Sequence, residues 1–153
     1  MGLLQVGEKA PNFNGLSQNG ESVTLDQFKG KRVAIYFYPK DNTPGCTTQA
    51  CNLRDNDALL KSYDVQIIGV SADNVQSHKK FAEKFNLPFP LLADTNQEIL
   101  KSYGVWGPKK FMGKEYVGIH RTTYVLNEHH EIVGVLNKPN TKDHAEEVVN
   151  FFK

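Results

Sequence analysis

The apolar positions of this chain fall into short runs separated by polar, glycine- and proline-bearing stretches. Two runs, Val33-Ala34-Ile35-Tyr36-Phe37-Tyr38 and Val65-Gln66-Ile67-Ile68-Gly69-Val70-Ser71, are rich in β-branched and aromatic residues and predict buried strands. Leu91–Ala93 predicts a shorter strand. Thr122–Leu126 and Ile132–Leu136 predict a strand pair around Asn127–Glu131, with His129-His130 at an exposed tip. Near the N-terminus, residues 13–16 and 21–24 predict a hairpin across Ser17-Gln18-Asn19-Gly20, where Asn-Gly is a strong turn signal. Leu25–Phe28 then reads as one helical turn before Gly30.

Other segments carry the helical period. Val75, His78, Ala82 and Phe85 share one face of a helix over 75–85, and Leu87-Pro88-Phe89-Pro90 breaks it. Residues 95–103 predict a modest helix ended by Gly104. Ala145, Val148, Val149 and Phe152 predict a last helix over 142–152. A further helix runs from Pro44 to Tyr63, and residues 105–119 read as a Gly-rich connection. The resulting order, β-α-β-α-β-β-α, implies an α/β domain with a mixed sheet and helices on both faces. It is also the order of a thioredoxin-like fold with an added N-terminal hairpin, and 1–153 is expected to form one such domain.

Composition narrows the function classes. The net charge is +1 and lysines form no block, so nucleic acid is not an expected partner. No apolar run reaches the ~18 residues of a membrane span, and no secretory pattern opens the chain. The expectation is a cytoplasmic protein, where two cysteines are more often catalytic or metal-binding than structural.

Both cysteines lie in the stretch Tyr36–Asp55, Y-F-Y-P-K-D-N-T-P-G-C-T-T-Q-A-C-N-L-R-D. Pro39 ends the strand and Lys40-Asp41-Asn42 is a polar turn. Thr43 reads as an N-cap and Pro44 as the first helical residue, so Cys46 falls in the first turn, near unpaired N–H groups and the positive end of the helix dipole. That setting favours a thiolate. A free cysteine titrates near ~8.5, and bringing one to ~6 takes about 3.4 kcal/mol, whereas a helix terminus supplies ~0.3–1, up to about 2 when partly buried. A nucleophilic Cys46 therefore needs a neighbouring cation, with arginine favoured because it stays charged.

The spacing of Cys46 and Cys51, C-x4-C, is neither that of a thioredoxin dithiol nor that of a usual zinc pair. Two buried inert thiols are the plain alternative. His78, His120, His129, His130 and His144 show no ligand spacing with the cysteines, so no metal is expected. Gly104, Gly107 and Gly113 lack dinucleotide-loop spacing, so no nucleotide cofactor is expected either.

Pro39, Thr43 and Cys46 form P-x-x-x-T-x-x-C, which resembles the active-site signature of the peroxiredoxins. The cysteine five residues on, Cys51, resembles the Q-type, or bacterioferritin comigratory protein, subgroup. The likeness extends to Val6–Phe13, Val105–Tyr116 and Gly118–Thr122. It implies a thiol-dependent peroxidase that reduces hydrogen peroxide and organic hydroperoxides. Cys46 would become a sulfenic acid, Cys51 would resolve it to an intramolecular disulfide, and thioredoxin, or a dithiol protein such as glutaredoxin, would recycle it. Thr43 would bond in the peroxide pocket, Pro39 would shield the sulfur, and Arg121 of G-I-H-R would supply the cation. The subgroup also implies a monomer. Each residue keeps a blander reading: Thr43 as a simple N-cap, Pro39 as a strand breaker, Arg121 as a solvated surface residue. Arg54 is a second candidate cation, expected instead to pair with Asp55 or Asp57. Trp106, Phe111 and Met112 read equally as an apolar approach to the site or as ordinary core.

Overall fold

The computed structural model describes residues 2–153. β1 (Asn14–Leu16) and β2 (Ser22–Thr24) form the expected hairpin, followed by a 3-10 turn over Leu25–Phe28. β3 (Arg32–Phe37) leads to α1 (Pro44–Asp55) and α2 (Asp57–Ser62). Then come β4 (Val65–Ser71), α3 (Val75–Phe85), β5 (Leu91–Ala93) and α4 (Glu98–Ser102). β6 (Trp106–Phe111), β7 (Lys114–Ile119), β8 (Thr122–Leu126), β9 (Ile132–Leu136) and α5 (His144–Val149) complete the chain, with a 3-10 turn over Asn150–Phe152.

Seven strands form one mixed sheet in the order β2-β1-β5-β4-β3-β8-β9. β3 lies parallel to β4 and antiparallel to β8, and β4 lies parallel to β5. This is the thioredoxin-like arrangement with its N-terminal hairpin. β3 is central and buried on both faces, as its apolar run implies. Its side chains alternate between two cores. Ala34, Tyr36 and Tyr38 pack with Cys46, Ala50 and Leu53 of α1, Phe81 of α3 and Val148 of α5. Val33, Ile35 and Phe37 pack on the other face with Ile99 and Leu100 of α4 and with Tyr103 and Tyr124. Even positions of β3 thus support the helix that carries both cysteines.

Four features differ from the sequence reading. The 44–63 helix is broken at Asn56 (φ −109°, ψ 23°), which caps α1 and begins α2. The 105–119 connection is an antiparallel hairpin, paired from Trp106↔Ile119 to Phe111↔Lys114. Its outer residues are exposed, so it lacks the half-buried alternation that marks a strand in sequence. α4 begins at Glu98 rather than Thr95, because the Asp94 carboxylate reaches forward to accept from the amides of Ile99 and Leu100 at 3.2 and 2.8 Å. His130 is not at an exposed tip: it is buried and its Nε2 donates to Phe28 O at 2.9 Å.

Candidate active site

The register of β3 and β8 builds the site. Phe37 stands opposite Thr122 in this antiparallel pair, so the residues that follow β3 meet those that precede β8. Pro39–Thr43 turns the chain from β3 into α1, and Arg121 immediately precedes β8. The segment before Arg121 is held by the hairpin: the His120 amide donates to Val105 O at 2.8 Å, and His120 Nε2 donates to Pro108 O at 2.9 Å.

Cys46 is the third residue of α1 and is 1% exposed. Arg121 Nη2 donates to its Sγ at 3.2 Å, and Arg121 Nη1 donates to Gln49 Oε1 at 2.6 Å. Gln49 lies one turn along α1 from Cys46, on the same face, so one guanidinium spans both. Gly45 leaves room for that guanidinium, since a Cβ there would lie 3.3 Å from Nη2. Arg54, the other candidate cation, pairs with Asp55 (Nη2 to Oδ1, 2.8 Å) and donates to Phe85 O at 2.8 Å.

Thr43 occupies the N-cap position, but its hydroxyl makes no capping bond. It donates instead to Lys40 O at 2.9 Å, within the loop, which leaves both oxygen lone pairs available. Pro39 is half-buried just after Tyr38. Tyr36, on the face of β3 toward α1, is buried, and its hydroxyl has no hydrogen-bond partner among the described residues. Burial pushes its pKa well above the ordinary phenol value, with the thiol of Cys46 and the carboxylate of Asp41 adding to the rise. It therefore stays a neutral phenol beside the thiol.

Cys51 is half-buried on the same helix, and both thiols are free. Phe111 and Met112 are 66% and 87% exposed at the tip of the β6–β7 hairpin, whereas Trp106 packs partly buried against the core. The first two are therefore not core. The sequence reading gave no site role to Gln49, Tyr36, Asp41 or His78. Gln49 alone left a signal, its position three residues after Cys46 on a helix.

Residues 6–135 match the AhpC/TSA family. Peroxiredoxin Bcp of Escherichia coli (strain K12) is 44% identical over 153 residues, 100% of this chain and 98% of that protein. The chain is a peroxiredoxin of the AhpC/TSA family. Peroxiredoxin Bcp of Bacillus subtilis (strain 168) is 43% identical over 150 residues, covering 98% and 96% of the two chains. Among solved structures, a Cys-to-Ser mutant of PrxQ from Xylella fastidiosa superposes with a TM-score of 0.92 at 28% identity, covering 99% of this chain and 97% of that one. The bacterioferritin comigratory protein of Xanthomonas campestris, studied for its alkyl peroxide reduction activity, gives 0.84 at 32% identity over 90% and 88%. This peroxiredoxin is accordingly a thiol-dependent peroxidase that acts on a hydroperoxide and draws on a thiol reductant. None of its helices is long and apolar enough to cross a membrane among the described residues.

Proposed function

We propose that Cys46 is the peroxidatic residue and Cys51 the resolving one, within a single domain spanning residues 1–153. The observation that carries this reading is the 3.2 Å contact from Arg121 Nη2 to Cys46 Sγ at the start of α1. Helix dipole and guanidinium act on the same sulfur, which meets the need for a cation. The Cys46 thiolate attacks one oxygen of a hydroperoxide along the O–O bond. An S–O bond forms, the O–O bond breaks, and the leaving oxygen takes a proton to depart as water or alcohol. Arg121 stabilises the charge that develops on the leaving oxygen. Thr43 bonds the bound peroxide through its free lone pairs, and Pro39 screens the sulfur from water.

The Cys51 thiolate then attacks the Cys46 sulfenic sulfur, forming the disulfide as the S–O bond breaks and the leaving hydroxyl takes a proton to depart as water. A dithiol protein restores both thiols by exchange. Thioredoxin is the favoured reductant, with glutaredoxin the runner-up. Hydrogen peroxide and organic hydroperoxides are both substrates, and the setting is antioxidant defence by a monomer in the cytoplasm. Cys46→Ser is expected to abolish turnover with a thioredoxin system. Cys51→Ser is expected to reduce one equivalent of peroxide per chain and then stop. Steady turnover by Cys46→Ser overturns the assignment.

A further inference from the structure

The loop between β3 and α1 is anchored through Asp41 in a buried polar cluster. The Asp41 carboxylate is enclosed, and both oxygens are engaged. Oδ1 accepts from Tyr38 Oη at 2.6 Å, and Oδ2 accepts from Ser77 Oγ at 2.7 Å and meets His78 Nδ1 at 2.7 Å. The Asp41 amide donates to Asp73 Oδ2 at 2.8 Å, which also accepts from Ser71 Oγ at 2.8 Å. The His78 ring is fully buried, with Nε2 2.9 Å from Leu92 O.

A carbonyl oxygen only accepts, so His78 Nε2 carries a proton. The 2.7 Å contact on the other side of the ring holds a second proton between Nδ1 and Oδ2. Ring and carboxylate together are neutral, whichever atom holds that proton. A carboxylate is thus buried in the loop that leads to Cys46 without an uncompensated charge, which would otherwise be costly. Asp41, Asp73 and His78 also place three possible metal-ligand atoms within 4.8 Å of one another. Tyr38, Ser71, Ser77 and the Asp41 amide already donate to these carboxylates, so hydrogen bonding alone accounts for the cluster.

The cluster connects four elements to one loop: Tyr38 after β3, Ser71 at the end of β4, Ser77 and His78 in the first turns of α3, and Leu92 in β5. On the loop itself, Asp41 stands midway between Pro39 and Thr43, and Asn42 takes a left-handed conformation (φ 57°) that turns the chain into α1. Among the described residues, no other side chain of this loop is bonded into the sheet core: Thr43 bonds within the loop and Asn42 accepts from the exposed Lys84. We propose that the buried Asp41–His78 pair is the positioning unit of the peroxidase site, fixing the Pro39–Thr43 loop and the first turn of α1 so that Cys46 meets its peroxide in attacking geometry.

This rests on the reading of Cys46 as the attacking thiol. The test is single-turnover kinetics on wild type, Asp41→Asn, His78→Gln and the double variant, with two rates measured for each. The peroxide rate senses attacking geometry, and the iodoacetamide alkylation rate senses only a reactive thiol. Because a ~1 Å misplacement can cost roughly 100-fold, each single variant is expected to lose about 10- to 100-fold in the peroxide rate. The double variant is expected to lose no more than the worse single, since the pair acts as one unit. Alkylation is expected to stay close to wild type. Ser77→Ala, which removes one donor from Asp41 Oδ2 and leaves the pair in place, is expected to lose several-fold in the peroxide rate and serves if a buried variant does not fold. Wild-type peroxide rates in folded Asp41→Asn or Ser77→Ala, whatever their melting temperatures, overturn the proposal, and so does an equal fall in both rates. If Cys46→Ser is inactive while these variants react like wild type, only the positioning role fails. If Cys46→Ser turns over, the reading beneath it fails.

Discussion

Arg121 donates to the sulfur of Cys46 although the two are 75 residues apart, and the same guanidinium is held by Gln49 on its other arm. Two arms on two acceptors require a planar fork, which a lysine lacks. Arg121→Met is expected to slow peroxide reduction by about 100-fold, the usual cost of one preorganised donor at a developing charge. Arg121→Lys is expected to recover only part of the loss. Unchanged kinetics in Arg121→Met would remove it from the site, and the Asp55-paired Arg54 would not easily replace it.

How far this pairing was legible from the sequence depends on which link is followed. Pro39, Thr43, Pro44 and Cys46 are neighbours, so turn chemistry and helix capping place them by local rules. The need for a cation followed from magnitudes, and its position from a motif resemblance. The register Phe37↔Thr122 that joins the two is a long-range fact with no local signature. The same holds for Asp41 and His78, which lie 37 residues apart. His78 has the helical spacing of a core residue, and nothing nearby in sequence shows which acceptors its ring meets. The break at Asn56 has no local mark, since neither proline nor glycine accompanies it. The outer part of the β6–β7 hairpin, residues 110–117, is exposed on both strands and so carries no half-buried alternation.

Two glycines separate stability from chemistry. A Cβ at Gly69 would lie 2.8 Å from Leu91 Cδ2 and 2.9 Å from the Tyr36 ring, which is stacked on Tyr38 and edge-on to Phe89. Nothing there yields cheaply, so Gly69→Ala is expected to cost ~1–3 kcal/mol through overpacking. A Cβ at Gly45 would meet only the end of the Arg121 side chain, at 3.3 Å. Gly45→Ala is expected to leave the thermal midpoint almost unchanged and to slow peroxide reduction by moving the guanidinium. Calorimetry and single-turnover rates on both variants check this, and the reverse pattern would contradict it.

His144 gives the fold a pH dependence. Its ring is buried, with Nδ1 donating to Glu147 Oε1 at 2.9 Å and Nε2 accepting from Thr123 Oγ1 at 2.9 Å. Burial pushes its pKa down from the ordinary histidine value, against the opposing pull of Glu147. The folded state therefore binds this proton less readily than the unfolded chain does. Its contribution to stability is full above the unfolded value of about 6.5 and is lost as pH falls through the folded value. Denaturant midpoints are expected to fall from about pH 7 to pH 5 in wild type, and to fall less in His144→Gln. Equal slopes in the two proteins would exclude His144 as the source.

Closing a Cys46–Cys51 disulfide requires α1 to open, and Asn52 sets what the opening costs. Both cysteines are free and lie on one continuous helix. Five residues of ideal helix separate two Cα atoms by roughly 8.7 Å, beyond the ~6.8 Å that a disulfide spans. Next to Cys51, Asn52 Nδ2 donates to Lys142 O at 2.9 Å, and its Oδ1 accepts from the Ala145 amide at 2.8 Å. Ala145 lies in the first turn of α5, whose N-cap residue Asp143 makes no side-chain capping bond. Asn52 thus caps α5 from outside, and unwinding around Cys51 uncaps it. Each bond is worth about 0.5–1.5 kcal/mol, so Asn52→Ala is expected to lower stability by ~1–3 kcal/mol. It is also expected to speed disulfide formation from the sulfenic acid by about tenfold for each ~1.4 kcal/mol released. Amide exchange across residues 44–54 is expected to accelerate on oxidation, and the Ala145 amide should accelerate with it if Cys51 is the side that moves. Acceleration confined to residues 44–48, with Ala145 still protected, would assign the motion to the Cys46 turn. Unchanged protection throughout in the oxidised protein would refute the opening itself.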